Sequence, residues 1–259
     1  MDTLWLKILI MPIVIAFVTV ISRKFGNVIG GVIAGMPWVG GAILLFIAIE
    51  QGKDFAEASL PGVMVGLISW IAFCVSYMIA GQKFKALPSM LIGMASFVGL
   101  GSVLRLTTGL LTAQLWFIIL MLAIVISLKF FPKVKEGYVA KDKKIKMEIP
   151  LRMLMITAFV LALTYSAKIL GPTWSGILTP FPIMTAVLAV FTHIGQGMQQ
   201  VRLTLLGMYT GVVGFASFLL TLVYLMPSMS IASSFSIALM VNVLVAFTAK
   251  ILFGKMKLV

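Results

Sequence analysis

One cysteine, one histidine and seven acidic residues are all that 259 positions hold of the side chains that most often do chemistry. Cys74, being alone, excludes an intrachain disulfide and any cysteine-based metal site; its expected place is that of a small apolar filler inside a helix. The acids are Asp2, Glu50, Asp54, Glu57, Glu136, Asp142 and Glu148. Only Glu50 falls at the edge of an apolar run and none falls inside one, which argues against a cation-for-proton antiporter, since coupled transporters place carboxylates at mid-depth. No phosphate loop, zinc motif, nucleophile elbow or acid-rich metal motif occurs. With so few ionisable groups at depth an intramembrane enzyme has almost nothing to work with. No catalytic residue, metal ligand or cofactor is therefore expected. Charge is scarce too: 10% of the residues are charged and 61% hydrophobic, against about 25% and 45–50% in a soluble domain. The chain reads as an integral membrane protein, and its long unbroken apolar runs exclude the alternating pattern of a barrel. That leaves an all-α polytopic membrane protein.

A bilayer core takes about 20 apolar residues per helix. On that ruler nine spans are expected, at about 4–22, 27–49, 60–80, 87–106, 113–131, 150–168, 174–195, 203–225 and 231–252. No small-residue cleavage site follows the first run, so it reads as a retained helix rather than a signal peptide. Residues 132–149, PKVKEGYVAKDKKIKMEI, form the one sizeable polar segment. It reads as a basic linker that holds its loop in the cytoplasm, or alternatively as a binder of anionic headgroups. Nine spans put 16 of the 20 Lys and Arg on one face and 4 on the other. The positive-inside rule then makes the first face cytoplasmic, with the N-terminus outside and the C-terminus inside. The net charge of +13 is thereby a matter of topology and not of a nucleic-acid partner. The bilayer is the expected partner, the bacterial cytoplasmic (inner) membrane the expected location, and a homodimer is left open.

The sequence also repeats itself. Residues 30–52, GGVIAGMPWVGGAILLFIAIEQG, and residues 175–197, SGILTPFPIMTAVLAVFTHIGQG, align without a gap 145 residues apart. Between residues 25 and 73 the same offset pairs 11 identical residues in 49, five of them glycines. Helices one to four thus correspond to six to nine, with helix five unmatched. Five crossings separate the two starts, and an odd number turns the second copy upside down. The expectation is a 4+1+4 inverted-topology repeat: residues 1–110 as the first repeat, 111–131 as the connecting helix, 132–149 as the linker and 150–259 as the second repeat. Many secondary transporters are built in this way.

The run Gly176-Ile-Leu-Thr-Pro-Phe-Pro182, followed by apolar residues and His193-Ile-Gly195, resembles the small four-helix GlpM-like bacterial inner-membrane proteins. The likeness covers roughly residues 150–230. Those proteins have the length of one half of this chain, so the resemblance implies a fused and inverted pair and says little about activity.

The site follows from the two mid-segment prolines. Proline lacks an N–H and clashes with the carbonyl four residues back, so Pro37 and Pro182 should break helices two and seven. The carbonyls freed near Ile33 and Leu178 then need partners. Inverted copies should bring the breaks together near mid-membrane, and the half-helices that begin there point positive ends at the meeting place, favouring an anionic or polar group. The expected substrate contacts are Gly35, Pro37, Trp38, Thr179, Pro180, Pro182 and Thr185. Glu50, His193 and Arg105 are further candidates for polar or charged contact. His193 reads either as a proton carrier or anion contact or as an interfacial histidine bonded to a neighbouring helix. Arg105 reads equally as a headgroup-snorkelling side chain. Two functions fit: a permease or flippase moving an uncharged or anionic solute or lipid-linked substrate by alternating access, or a non-transporting membrane subunit of an envelope-biosynthesis or signalling complex.

Overall fold

Long apolar stretches in a chain this poor in charge have one economical solution, which is helices whose backbone bonds close on themselves. A computed structural model describes residues 3–131 and 148–255. Among the described residues it has nine α-helices and no strand. They are α1 (Leu4–Gly35), α2 (Gly40–Glu50), α3 (Lys53–Ala80), α4 (Ala86–Leu104), α5 (Ala113–Ser127), α6 (Glu148–Leu178), α7 (Ile183–Gln196), α8 (Met198–Leu225) and α9 (Ile231–Lys255). The basic linker expected at 132–149 lies outside the described residues except for Glu148 and Ile149, which open α6.

Among the described residues seven helical segments are long and apolar enough to cross a bilayer, the first of them running from Lys24 to Glu50 through the gap between α1 and α2. Two shorter apolar helices, Leu4–Phe17 and Ile183–Gln196, accompany them. The chain is an all-α, multi-pass membrane protein. Sequence reading ends the first span at Arg23-Lys24. The structure has no loop there and turns instead at Gly26, whose φ of 81° only glycine adopts readily.

Positive φ occurs at four described glycines: Gly26 (81°), Gly52 (95°), Gly171 (72°) and Gly197 (87°). They form two pairs, each 145 residues apart. Gly26 and Gly171 bend α1 and α6, whereas Gly52 and Gly197 open α3 and α8. Helices α3 and α8 are each 28 residues long and likewise start 145 residues apart.

These two helices form the centre. In their most apolar stretches 78% and 72% of residues are buried, against 22–28% in α4, α5, α6 and α9, which face outwards. Glycine sets how closely the neighbours approach. A Cβ on Gly31 of α1 would lie 2.2 Å from the Thr204 carbonyl oxygen, and one on Gly207 of α8 would lie 2.2 Å from that of Val28. The same contact recurs between α6 and α3. There a Cβ on Gly176 would come within 2.3 Å of the Ser59 carbonyl oxygen, and one on Gly62 within 2.6 Å of that of Thr173. At both crossings backbone lies on backbone, the geometry that small residues permit between membrane helices.

This packing sets an expectation for glycine substitutions. Gly31→Ala and Gly207→Ala should each destabilise the protein by ~1–3 kcal/mol, because the added methyl meets backbone that cannot rotate away. Gly99→Ala, with nothing within 4 Å of the new atom, should be neutral or stabilise by up to ~1 kcal/mol through helix propensity. Thermal unfolding of the detergent-purified variants distinguishes the two classes.

Candidate functional site: a cavity between two broken helices

The chain leaves helical geometry at Pro37 and again at Pro182. Between α1 and α2 the Trp38 N–H donates to the Met36 carbonyl at 2.8 Å, a three-residue turn centred on Pro37. Between α6 and α7 the Ile183 N–H donates to the Phe181 carbonyl at 2.7 Å, centred on Pro182 with φ −75° and ψ 36°. Both resemble inverse γ-turns, which suit the fixed φ of proline. The Ile33 carbonyl accepts from the Met36 N–H at 3.2 Å and from the Trp38 indole Nε1–H at 2.8 Å. The Leu178 carbonyl accepts from the Phe181 N–H at 3.0 Å. Each break therefore satisfies these carbonyls from its own residues, as a dry environment requires.

A cavity of about 50 Å³ lies where the breaks meet. The first break lines it with Ala34, Gly35, Met36, Val39 and Gly40, and the second with Thr179, Pro180, Phe181, Ile183, Met184 and Thr185. Leu67 and Trp70 of α3 and Val212 and Phe215 of α8 complete the wall. Every first-half residue in this lining has its counterpart 145 positions on in the lining too. Ile183 alone lacks a partner, because Trp38 points elsewhere.

Of the residues expected at the site, Gly35, Thr179, Pro180 and Thr185 line the cavity. Pro37 and Pro182 are buried behind the wall they shape. Trp38 lies off the wall: besides bonding Ile33, its ring sits edge-on to Phe17 with centroids 6.5 Å apart. The two halves of the wall differ chemically. Trp70 Nε1–H donates to Thr185 Oγ1 at 2.8 Å. At the equivalent contact Phe215 fills the space beside Gly40, where a Cβ would come within 2.7 Å of its ring.

The remaining candidates sit at helix ends, away from the cavity. His193 Nδ1 lies 3.3 Å from the Tyr77 hydroxyl, a bond between α7 and α3. Arg105 is exposed and lies 5.2 Å from the Trp174 ring, a cation–π contact. Glu50 is engaged by Lys7, whose Nζ donates to its two carboxylate oxygens at 2.6 and 2.7 Å and to Thr164 Oγ1 at 2.7 Å. The Thr3 hydroxyl also donates to Glu50. All three ammonium donors are thus used. Among the described residues no group of three or more His, Cys, Asp or Glu could hold a metal ion.

Sequence reading did not single out Lys7, Trp70, Leu67, Val212 or Phe215. A signal existed for the helix residues. Gly62 and Gly66 pair with Gly207 and Gly211, which marks the faces of α3 and α8 that meet the broken segments, and Leu67 and Val212 follow directly. Lys7 and Glu50 lie in different spans, and nothing in their spacing joins them.

No family model, curated protein or solved structure matches this chain.

The ion pair makes its own test. Side-chain exposures of 6% and 17% mean that Glu50→Gln leaves a nearly buried ammonium without its counter-charge, at an expected cost of ~3–5 kcal/mol. Combining it with Lys7→Met should recover most of that loss, because a pair replaced by neutral groups of similar volume is close to neutral. A thermal-stability cycle over the two single variants and the double variant measures the coupling.

Proposed function

We propose that this protein is a membrane permease or flippase that moves an uncharged or anionic solute, or a lipid-linked substrate, by alternating access around the cavity between its two broken helices. The observation that carries this reading is the cavity itself. It lies at the junction of two proline breaks 145 residues apart, and its lining is drawn almost entirely in pairs at that same spacing. Paired discontinuous helices around one central site are the construction expected of secondary transporters. A non-transporting subunit would have no need of a hollow at this point.

The proposal includes the inverted repeat, and the crossing registers support it. Gly207 faces the Val28 carbonyl and Gly211 faces that of Val32, while Gly62 faces that of Thr173 and Gly66 that of Ile177. In each set both numbers rise by four, so the paired segments run in the same direction. The span that contains Val28 and Val32 turns back into α3 through Gln51-Gly52, and hence runs against α3. Helix α8, running with that span, runs against α3 as well, which is the relation of inverted copies.

Nine crossings also agree with the long-range polar contacts. Lys7 with Glu50, Lys53 Nζ with the Pro227 carbonyl at 3.2 Å, and Arg105 with Trp174 all fall on the face assigned to the outside. Tyr77 with His193, and Asn27 Nδ2 with Gln196 and Gln200 Oε1 at 2.7 and 2.6 Å, fall on the cytoplasmic face. The charge asymmetry of the loops supports a cytoplasmic C-terminus, and the resemblance of residues 150–230 to the GlpM-like proteins is consistent with a bacterial inner membrane.

Two experiments test the reading. A reporter active only in the cytoplasm should be active when fused after Val259 and silent when inserted after Lys53; activity at both places would remove the odd count of crossings. In reconstituted vesicles, uptake of small uncharged and anionic solutes should fall to the protein-free rate in Pro37→Ala and in Pro182→Ala, where the broken helices are free to rejoin. Full uptake in both variants, at normal expression, would put the site elsewhere.

A further inference from the structure

The chemistry of the cavity wall bears on what the cavity holds, given the permease reading. No Asp, Glu, Lys, Arg or His is among its lining residues. The buried cation Lys7 is committed to Glu50 and Thr164, and Arg105 to the Trp174 ring. What remains to compensate a bound charge is the partial positive end of α2 and α7. A helix N-terminus offers about half a unit charge and returns far less than the desolvation cost of a full anion. An ion entering here would leave its water without gaining a counter-charge.

Three side chains in the lining carry hydrogen-bonding groups. Trp70, Thr179 and Thr185 are 4%, 1% and 6% exposed. Thr179 Oγ1–H donates to the Ser175 carbonyl at 2.7 Å, and Thr185 Oγ1 accepts from Trp70 Nε1–H at 2.8 Å. A hydroxyl has one proton to give and two lone pairs. Thr185 therefore keeps its proton, and Thr179 keeps its acceptor capacity, with neither matched by another described residue. One donor and one acceptor in the lining of one small hollow complement a primary amide or an alcohol. Ala34, Leu67, Val212 and Phe215 add hydrocarbon to the same lining.

We propose that the cavity binds an uncharged amphipathic solute, or the uncharged end of a larger one, with a hydroxyl or amide group against Thr179 and Thr185 and its hydrocarbon against the wall formed by Ala34, Leu67, Val212 and Phe215. Polarity comes from one half only. Thr179 corresponds to Ala34, Thr185 to Gly40 and Trp70 to Phe215, so the ligand is held in one orientation. The uncharged class, rather than the anionic one, is the substrate of the permease proposed above.

Acetamide and acetate have the same shape and differ in charge, which makes them suitable probes. The full chain in detergent is titrated with each while tryptophan emission is followed, Trp70 being in the wall and Trp70→Phe identifying its share of the signal. Flux of labelled acetamide into reconstituted vesicles is measured in parallel. The expected result is a saturable change with acetamide and none with acetate. Thr185→Val should weaken acetamide about tenfold, the worth of one hydrogen bond lost to a buried group, and Thr185→Ser should restore it at unchanged thermal stability. Acetate binding as tightly as acetamide would overturn the uncharged class and leave the permease reading standing. Acetamide binding with flux no faster than in protein-free vesicles would support the class and remove the permease. Absence of any response to acetamide, in a wild-type protein that unfolds cooperatively, would overturn the proposal.

Discussion

Backbone resting on backbone at two glycine crossings is the constraint from which the rest of the structure follows. In lipid, helices gain nothing by hiding apolar side chains from one another, so association depends on close packing. Gly31 on Gly207 and Gly62 on Gly176 supply it, with Cβ positions that would fall 3.0–3.3 Å from the facing Cα atoms. One turn on, Gly35 lies against the Met208 carbonyl, and Gly66 lies against that of Ile177 and the Pro180 ring. The helices then break, with α1 ending at Gly35 and α6 at Leu178. The breaks are thus pinned beside close backbone contacts, and the hollow between them stays small.

That the breaks bond their own Ile33 and Leu178 carbonyls changes what the hollow can offer. A break whose carbonyls relied on a ligand would leave these groups uncompensated whenever the site was empty, at a cost lipid does not allow. Here the Ile33 carbonyl is met by the Trp38 indole and the Met36 N–H, and the Leu178 carbonyl by the Phe181 N–H. Trp38 serves the backbone at the break and is thereby withdrawn from the wall. The polar character of the site passes to side chains of the second half and to Trp70, and the site can stand empty without unfolding its own walls.

The parts legible in the sequence were those set by backbone. Glycine at 26, 52, 171 and 197 and proline at 37 and 182 are choices of φ and of missing donors, and they leave a mark no apolar residue imitates. The meeting of segments 35–41 and 179–185 could be read from them. The orientation of side chains could not. Trp38 next to Pro37 looks like a residue of the hollow, and only the turn geometry shows its N–H reaching back to Ile33. In α3 the usual 3.6-residue alternation fails as a guide, because lipid-facing and core-facing residues are equally apolar. Trp70 therefore carries no sign that it faces Thr185. The ion pair was hidden for a related reason: near the end of an apolar span a lysine is expected to snorkel, and Lys7 turns inwards only because Glu50 and Thr164 converge on it from two other helices.

Comparing residues 145 positions apart separates the contacts that match from those that differ. At the crossings Gly31 and Gly176 correspond, as do Gly62 and Gly207, and in each case the neighbour is main chain that cannot turn aside. Around the cavity the neighbours are side chains, and there the halves differ: Gly40 beside Phe215 becomes Thr185 bonded to Trp70. Further along, Tyr77 bonds His193 across α3 and α7, while the equivalent Leu222 and Ala48 are buried and apolar. A hydrogen bond between helices can be exchanged for one to water at small net cost, but an apolar seam that opens exposes hydrocarbon with nothing in return. The α3–α7 seam and the α8–α2 seam are therefore unequal in the work needed to part them. That inequality arises from a few side chains set on backbone geometry that the two halves share.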